Sequence, residues 1–399
     1  MTIRLATAGC FAAAVLAVSA GPASAACEGP GGFSSWLQDF KSEAAAQGIS
    51  PAAVSELDGV RYDQSVVDAD RRQGVFSQSF LEFSDRMVAQ YRMDQGRNLL
   101  KKYAETFAAI EREFGVPGPV IVAFWGLETD FGANLGDKRT LQSLATLAYD
   151  CRRPEMFRAE LLAALQLLDR GDLSPQDMVG AWAGEIGQMQ FIPTEYLSTA
   201  VDYDGDGRRN LVRSVPDVLA SSANLLVKHG WQGRQPWLEE VLVPGDLPWA
   251  EADLAIKHPR SFWAEWGVTR VDGSPLPADG TPASLLLPMG RLGPAFLAYP
   301  NFSVYTQWNK SLVYATTAAY FATRLAGAPN VQRGSAQALS RDQIKDVQQR
   351  LQALGYDVGG VDGTLGAQTR AAVKKVQLQL GLPADSYPDA AFLAQLRSL

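Results

Sequence analysis

The chain has 399 residues, of which 47% are hydrophobic and 20% charged, and its formal net charge is −7. That composition is globular, and the length suits two or three domains. An acidic balance without a basic stripe excludes a nucleic-acid-binding surface, because no cluster of Lys and Arg is present to neutralise phosphates.

Arg4 and an apolar run from Phe11 to Ala20 lead into Ala23-Ser24-Ala25, the small-x-small pattern that a signal peptidase cuts, so residues 1–25 read as a secretory signal. The run is too short to span a bilayer, and no later segment reaches the roughly 18 apolar residues required. The mature chain is therefore expected in the periplasm, soluble. Ser24 stands where a lipoprotein signal needs an aliphatic residue three before Cys27, which argues against a lipid anchor. Cys10 leaves with the signal. For the remaining Cys27 and Cys151, an oxidising compartment favours a disulfide over two free thiols.

Leu100, Tyr103, Phe107, Ile110 and Phe114 recur every three or four residues ahead of Gly115, which predicts one amphipathic helix with a glycine stop. A second helix starts around Pro119. Val120 to Leu127 are apolar all round, so this helix is buried and delivers Glu128 near its C-terminal end. The segment Phe124 to Gly132, FWGLETDFG, thus places one carboxylate among large apolar side chains. Burial raises the pKa of such a group, which is how glycoside-cleaving enzymes poise a general acid. The alternative is a helix-end Glu that meets solvent.

Further on, Ser174-Pro175-Gln176-Asp177 has the form of a capped helix start. Gly184, Gly187 and Pro193 then break the helical period across GEIGQMQFIP, leaving an irregular loop that carries Gln188 and Gln190. Asp202, Asp204 and Asp206, with Gly207 next, follow the start of an EF-hand loop, where alternate carboxylates and a backbone carbonyl, here that of Arg208, converge on Ca²⁺. Arg213 replaces the bidentate Glu of the twelfth position, and Asp217 at the next helix start is the available substitute. The loop reads either as a structural Ca²⁺ site or as a solvated acidic turn held by its own Asx bonds.

Between about 240 and 305, short apolar runs at Val241 to Val243, Ser284 to Leu287 and Ala295 to Tyr299, separated by Pro and Gly, read as a small β subdomain. Helix returns at Ser311 to Leu325, and the small, polar stretch Ala326 to Ala338 reads as a linker. The last sixty or so residues carry two helical stripes, Ile344-Val347-Leu351-Leu354 and Ala372-Val373-Val376-Leu380, each ended by glycine, with a tight loop from Val361 to Gly366 between them.

Within Ser340 to Leu396, the run LQALGYDVGGVDGTLGAQTRAAVKKVQ resembles the three-helix peptidoglycan-binding domain of many bacterial wall enzymes, with DGxxGxxT between two helices. From Phe33 to Leu325 the chain is similar to the lytic murein transglycosylase B family, glycoside hydrolase family 103. The likeness lies in WGLETDFG, AWAGEIGQMQFIPTEY, DYDGDGRRNL with SVPDVLASSANLLVKHGW, and YPNFSVYTQWNKSLVYA. The resemblance implies a mainly α fold: a lysozyme-like α-helical catalytic domain with a small β subdomain, plus a C-terminal three-helix peptidoglycan-binding domain. It places the signal at 1–25, the catalytic domain at 26–328, the linker at 329–339 and the wall-binding unit at 340–399.

The same resemblance implies that Glu128 is the acid and base, that Gln190 lines the saccharide groove, and that Asn309 and Tyr314 border it. Ala181, Leu225 and Trp308 stand where the family's best-known member has Ser, Tyr and Tyr; Trp308 could stack on a sugar face. The implied reaction is cleavage of the β-1,4 bond between N-acetylmuramic acid and N-acetylglucosamine, closing a 1,6-anhydro-muramoyl end. It needs no cofactor, and any Ca²⁺ would be structural. Glycan strands are the expected partner and a monomer the expected state. Two other readings stay open: a muramidase in which Glu185 or Asp130 positions water, and a catalytically silent wall-binding protein.

Overall fold

The computed structural model describes residues 31–71 and 78–399, so the expected signal and Cys27 lie outside the described residues. Cys151 is disulfide-bonded. No helix among the described residues is long and apolar enough to cross a membrane.

The fold is mainly helical and is organised around the helix Gly118–Thr129. Pro119 suits its first turn, where an N–H would lack a partner anyway. Val120 to Leu127 are all buried, and the helices Gln90–Lys102, Ala104–Phe114 and Leu312–Leu325 pack around it. Each large apolar side chain so buried is worth about 1.5–3 kcal/mol, so this helix anchors the main core. Glu128 is held at the end of this buried helix.

Two local expectations fail. The periodicity from Leu100 to Phe114 predicts one helix, but the chain breaks at Tyr103, which leaves helical geometry at φ −107° and ψ 28°. The break wraps two helices around the central one: Leu100 and Phe107, on either side of it, both press on Gly118. Packing overrides periodicity there. The Ser174–Asp177 capping box forms, yet it heads only a 3₁₀ turn, Pro175–Asp177. The chain is captured beyond it, because the Met178 carbonyl accepts from the Thr140 N–H and Val179–Gly180 pairs with Lys138–Arg139.

The β subdomain is one antiparallel sheet in the order His258–Pro259, Pro282–Leu286, Ala295–Ala298, Leu238–Leu242, Thr269–Arg270. It has its own core of Val241, Trp263, Leu285 and Leu297.

The C-terminal unit contains the helices Arg341–Ala353, Ala367–Gln379 and Ala390–Leu396 around Val347, Leu351, Val373 and Phe392. Its DGxxGxxT motif is a hydrogen-bond knot. Gln348 Nε2 donates to Asp362 Oδ1 and the Thr364 carbonyl, its Oε1 accepts from Gly363 N–H, and Thr369 Oγ1 donates to the Val358 carbonyl.

The stretch expected as a linker is in contact with the catalytic body. Arg333 pairs with Asp85 through both terminal nitrogens at 2.9 and 3.0 Å, Ser335 and Ala336 N–H donate to the Leu292 carbonyl, and Val331 and Ala336 pack on the main core. The unit beyond it docks on the catalytic body. Tyr387 joins the main core cluster, Lys374 pairs with Asp253 at 2.8 Å, and Arg370 donates to the Leu287 and Pro288 carbonyls. Small and polar residues read as flexible by composition because composition does not register which partner they meet.

Candidate active site

Glu128 stands at the foot of a cleft of about 380 Å³, lined also by Glu185, Gln190, Leu225, His229, Trp308 and Asn309. Trp308 Nε1 donates to its Oε1 at 2.8 Å, and the Tyr314 hydroxyl donates to the same oxygen. Among the described residues Oε2 has no partner, so that is the oxygen free to meet a ligand. Burial pushes the carboxyl up to about 7, against the two hydrogen bonds, which favour the ionised form, and with a smaller push from the charge of Glu185. Burial in turn lifts the Tyr314 phenol well above its ordinary range, and the neighbouring Glu128 charge adds to it. Tyr314 is thus a permanent donor.

The expected sugar platform at Trp308 is only half available. One ring face stacks on Phe124 at 4.3 Å between centroids, and the indole N–H is committed to Glu128. Asn309 lines the cleft while its Oδ1 accepts from Ser311 N–H at 2.9 Å. Gln190 lines it too, in a left-handed conformation at φ 53°, with Nε2 donating to the Leu135 and Gly187 carbonyls.

Asp130 is directed elsewhere, as its spacing from Glu128 requires. It takes the left-handed C-cap position at φ 54°, and Arg92 Nε donates to it at 3.0 Å. With Phe131 and Gln190, it is one of five non-glycine residues of positive φ among the described residues, so backbone strain concentrates at the site.

Sequence reasoning assigned no role to Gln188, which staples the acid's helix to two loops. Its Oε1 accepts from Trp125 Nε1 at 3.0 Å, its carbonyl from the Thr129 hydroxyl at 2.6 Å, and its Nε2 donates to the Val212 carbonyl at 2.9 Å. Glu185, which the sequence offers only to the hydrolase reading, lines the same cleft, and burial raises its pKa. It is placed there by close backbone packing. A Cβ on Gly180 would stand 1.7 Å from the Glu185 carbonyl oxygen, so only glycine fits.

In the Asp loop, carboxylate oxygens of Asp202, Asp204 and Asp217 lie within 4.8 Å of one another. Asp206 is not part of that group; its Oδ1 accepts from Arg208 N–H at 2.8 Å. Arg213, at the twelfth position, pairs instead with Asp177. Asp202 accepts from the N–H groups of Gly205, Asp206 and Gly207, and Asp217 from those of Tyr203, Asp204 and Asn210. Three convergent carboxylates with Asp217 as the far ligand suit a hard divalent cation such as Ca²⁺.

Residues 32–323 match the family model "Transglycosylase SLT domain", and residues 340–396 match "Putative peptidoglycan binding domain". The chain is 31% identical over 239 residues to the membrane-bound lytic murein transglycosylase B of Escherichia coli (strain K12), covering 59% of this chain and 64% of that protein. It therefore spans just under two thirds of that relative's length. Its structure resembles SltB3 from Pseudomonas aeruginosa in complex with NAG-anhNAM-pentapeptide, with a TM-score of 0.85, 40% identity, and coverage of 92% of this chain and 99% of that one. It also resembles the Escherichia coli lytic transglycosylase Slt35 in complex with calcium, with a TM-score of 0.63, 27% identity, and coverage of 73% and 92%.

Proposed function

The chain belongs to the transglycosylase SLT domain family, and from that premise we propose that it is a peptidoglycan lytic transglycosylase whose single acid and base is Glu128. The observation that carries the proposal is the state of that carboxyl. With a pKa of about 7, Glu128 is close to half protonated at neutral pH and can both give and take a proton. Two donors fix Oε1, so the proton travels on Oε2. It passes to the glycosidic oxygen between N-acetylmuramic acid and N-acetylglucosamine as that bond breaks. Oε2, now a carboxylate oxygen, removes the proton of the muramoyl 6-hydroxyl, whose oxygen bonds to the anomeric carbon and closes the 1,6-anhydro ring. A nucleophile within the same sugar is held at high effective concentration, so the site need not hold water. Gln190, Asn309 and Trp308 border the bound glycan.

The titration of Glu128 sets the pH dependence. Activity that needs the protonated acid falls as pH rises through about 7. The Tyr314 hydrogen bond favours the ionised form, so Tyr314→Phe should raise the pKa and move the alkaline limb of kcat/KM to higher pH. An unmoved limb would detach Tyr314 from the acid.

A hydrolase reading retains support from one observation, that Glu185 lines the same cleft as Glu128; the isotope experiment in the Discussion separates the two. Export through a signal at 1–25 would place the enzyme in the periplasm, with residues 340–399 holding the wall.

Ca²⁺, held by Asp202, Asp204 and Asp217, would stabilise the fold without entering the chemistry. Melting temperature should rise with added Ca²⁺, and Asp204→Ala should erase the rise. A melting curve unchanged up to millimolar Ca²⁺ would count against the site.

A further inference from the structure

Of the residues lining the cleft, the catalytic scheme uses Glu128, Trp308, Asn309 and Gln190. The wall contributed by the segment from Ala181 to Glu195 and by the end of the helix Val215–Lys228 carries two polar atoms that the scheme does not use. Glu185 Oε2 and His229 Nδ1 are both shielded from water and have no hydrogen-bond partner. Elsewhere in the cleft Gln190 Nε2 is engaged on two carbonyls, Asn309 Oδ1 on Ser311 N–H, and Trp308 Nε1 on Glu128. Buried polar atoms are normally paired, so two orphans in one cleft call for an explanation.

Neither atom is paired within the protein, although the backbone N–H groups of Glu185 and Ala183 lie close enough to the Glu185 carboxyl to favour its ionised form. Arg153, the cation whose charge bears on Glu185, is paired with Asp70. His229 Nε2 is 3.6 Å from Glu195 Oε1, outside hydrogen-bond range, so the ring is not firmly tied either. The terminal torsions of Glu and His are broad, so either unpartnered atom can turn into the cleft. Both chains are anchored behind. His229 N–H donates to the Leu225 carbonyl at 2.9 Å, and Glu185 is flanked by Ile186, which exchanges backbone bonds with Phe191 at 2.8 and 3.0 Å. Ala181 and Leu225, four residues before each, leave the cleft wall around them apolar.

We propose that Glu185 and His229 are substrate-recognition residues, which bind the hydroxyl and acetamido groups of an amino sugar of the glycan strand within the cleft. Glu185 accepts a hydrogen bond from a sugar O–H or amide N–H, and His229 Nδ1 pairs with a second polar group of the same strand. The inference rests on the proposed transglycosylase reading for the identity of the ligand and adds a contact that the acid and base chemistry does not require.

The test is equilibrium binding of soluble, uncleaved glycan strands of alternating N-acetylglucosamine and N-acetylmuramic acid to the full chain, read in a Glu128→Gln background so that nothing is cut. Adding Glu185→Ala or His229→Ala should each weaken Kd roughly tenfold, as expected for leaving one recognition hydrogen bond unmade. Glu185→Gln, which keeps the shape and an acceptor oxygen, should lose less than Glu185→Ala. Melting temperatures should move little across the set, since Glu185 Oε2 and His229 Nδ1 themselves have no partner within the protein. Unchanged Kd in both alanine variants would overturn the proposal. So would a Kd loss that tracks a fall in melting temperature and is not restored by Gln, because that is a structural role. Failure of the function reading is visible separately, as an otherwise wild-type chain that leaves sacculi intact.

Discussion

Glu128→Gln should reduce turnover of sacculi by at least about a thousandfold, because one group serves as acid in the first step and base in the second. Gln cannot supply a proton to the glycosidic oxygen, nor take one from the 6-hydroxyl. The variant should also be more stable than the parent at alkaline pH. The folded-state pKa of Glu128, about 7, lies above its ordinary value of 4.5, so its ionisation costs nothing while the group is protonated in both states. The cost grows as pH rises from the unfolded value towards the folded one, and is complete above it, on the order of 3 kcal/mol. An inactive variant whose melting temperature exceeds the parent's at pH 8 would thus report a lost function in an intact fold. Near-normal release of soluble fragments would remove Glu128 from the mechanism. Asp130→Asn should do far less to the rate, since Asp130 faces Arg92.

Removing the residues after Ala338 should lower the melting temperature of what remains and abolish sedimentation with insoluble sacculi. A freely tethered module would cause only the second effect, by lowering local concentration at the wall. Here the cut takes away Tyr387 from the main core, strips Lys374 from Asp253 and Asp385 from Arg291, and unroofs the Leu287 and Pro288 carbonyls that Arg370 caps. A loss of about 2–3 kcal/mol from one buried aromatic and its neighbouring ion pairs corresponds to roughly 3–5 °C in a domain of this size. A truncated chain that melts with the parent would contradict the docked arrangement.

Much of the site was legible because its signals are local. An apolar helix with one carboxylate at its end announces a desolvated acid whatever surrounds it, and Gly118–Thr129 delivers Glu128 as its pattern predicts. The glycine-rich loop and the Asp turn were visible for the same reason, since strained or convergent backbone needs particular residues. What stayed hidden depends on long-range partners. Gln188 looks like any loop Gln until Trp125, Thr129 and Val212 arrive around it. Asp206 continues the alternating pattern of Asp202 and Asp204, but Asp217, from the next helix, completes the group instead. The cap at Ser174 promised a helix that strand pairing at Val179–Gly180 pre-empted, and the helix through Tyr103 broke to wrap a neighbour. Residues 329–339 carry the composition of a linker and the contacts of a strap.

The central claim is that the substrate's own hydroxyl, and not water, attacks the anomeric carbon. Digesting purified sacculi in ¹⁸O-labelled water and weighing the muramoyl ends tests it directly. Ring closure consumes the carbon that water would otherwise take, so each new end should be one water lighter than a hydrolytic end, non-reducing and free of label. Labelled reducing muramoyl termini as the main product would mean that a water held in the cleft, beside Glu185, completes the reaction, and would contradict the lyase assignment.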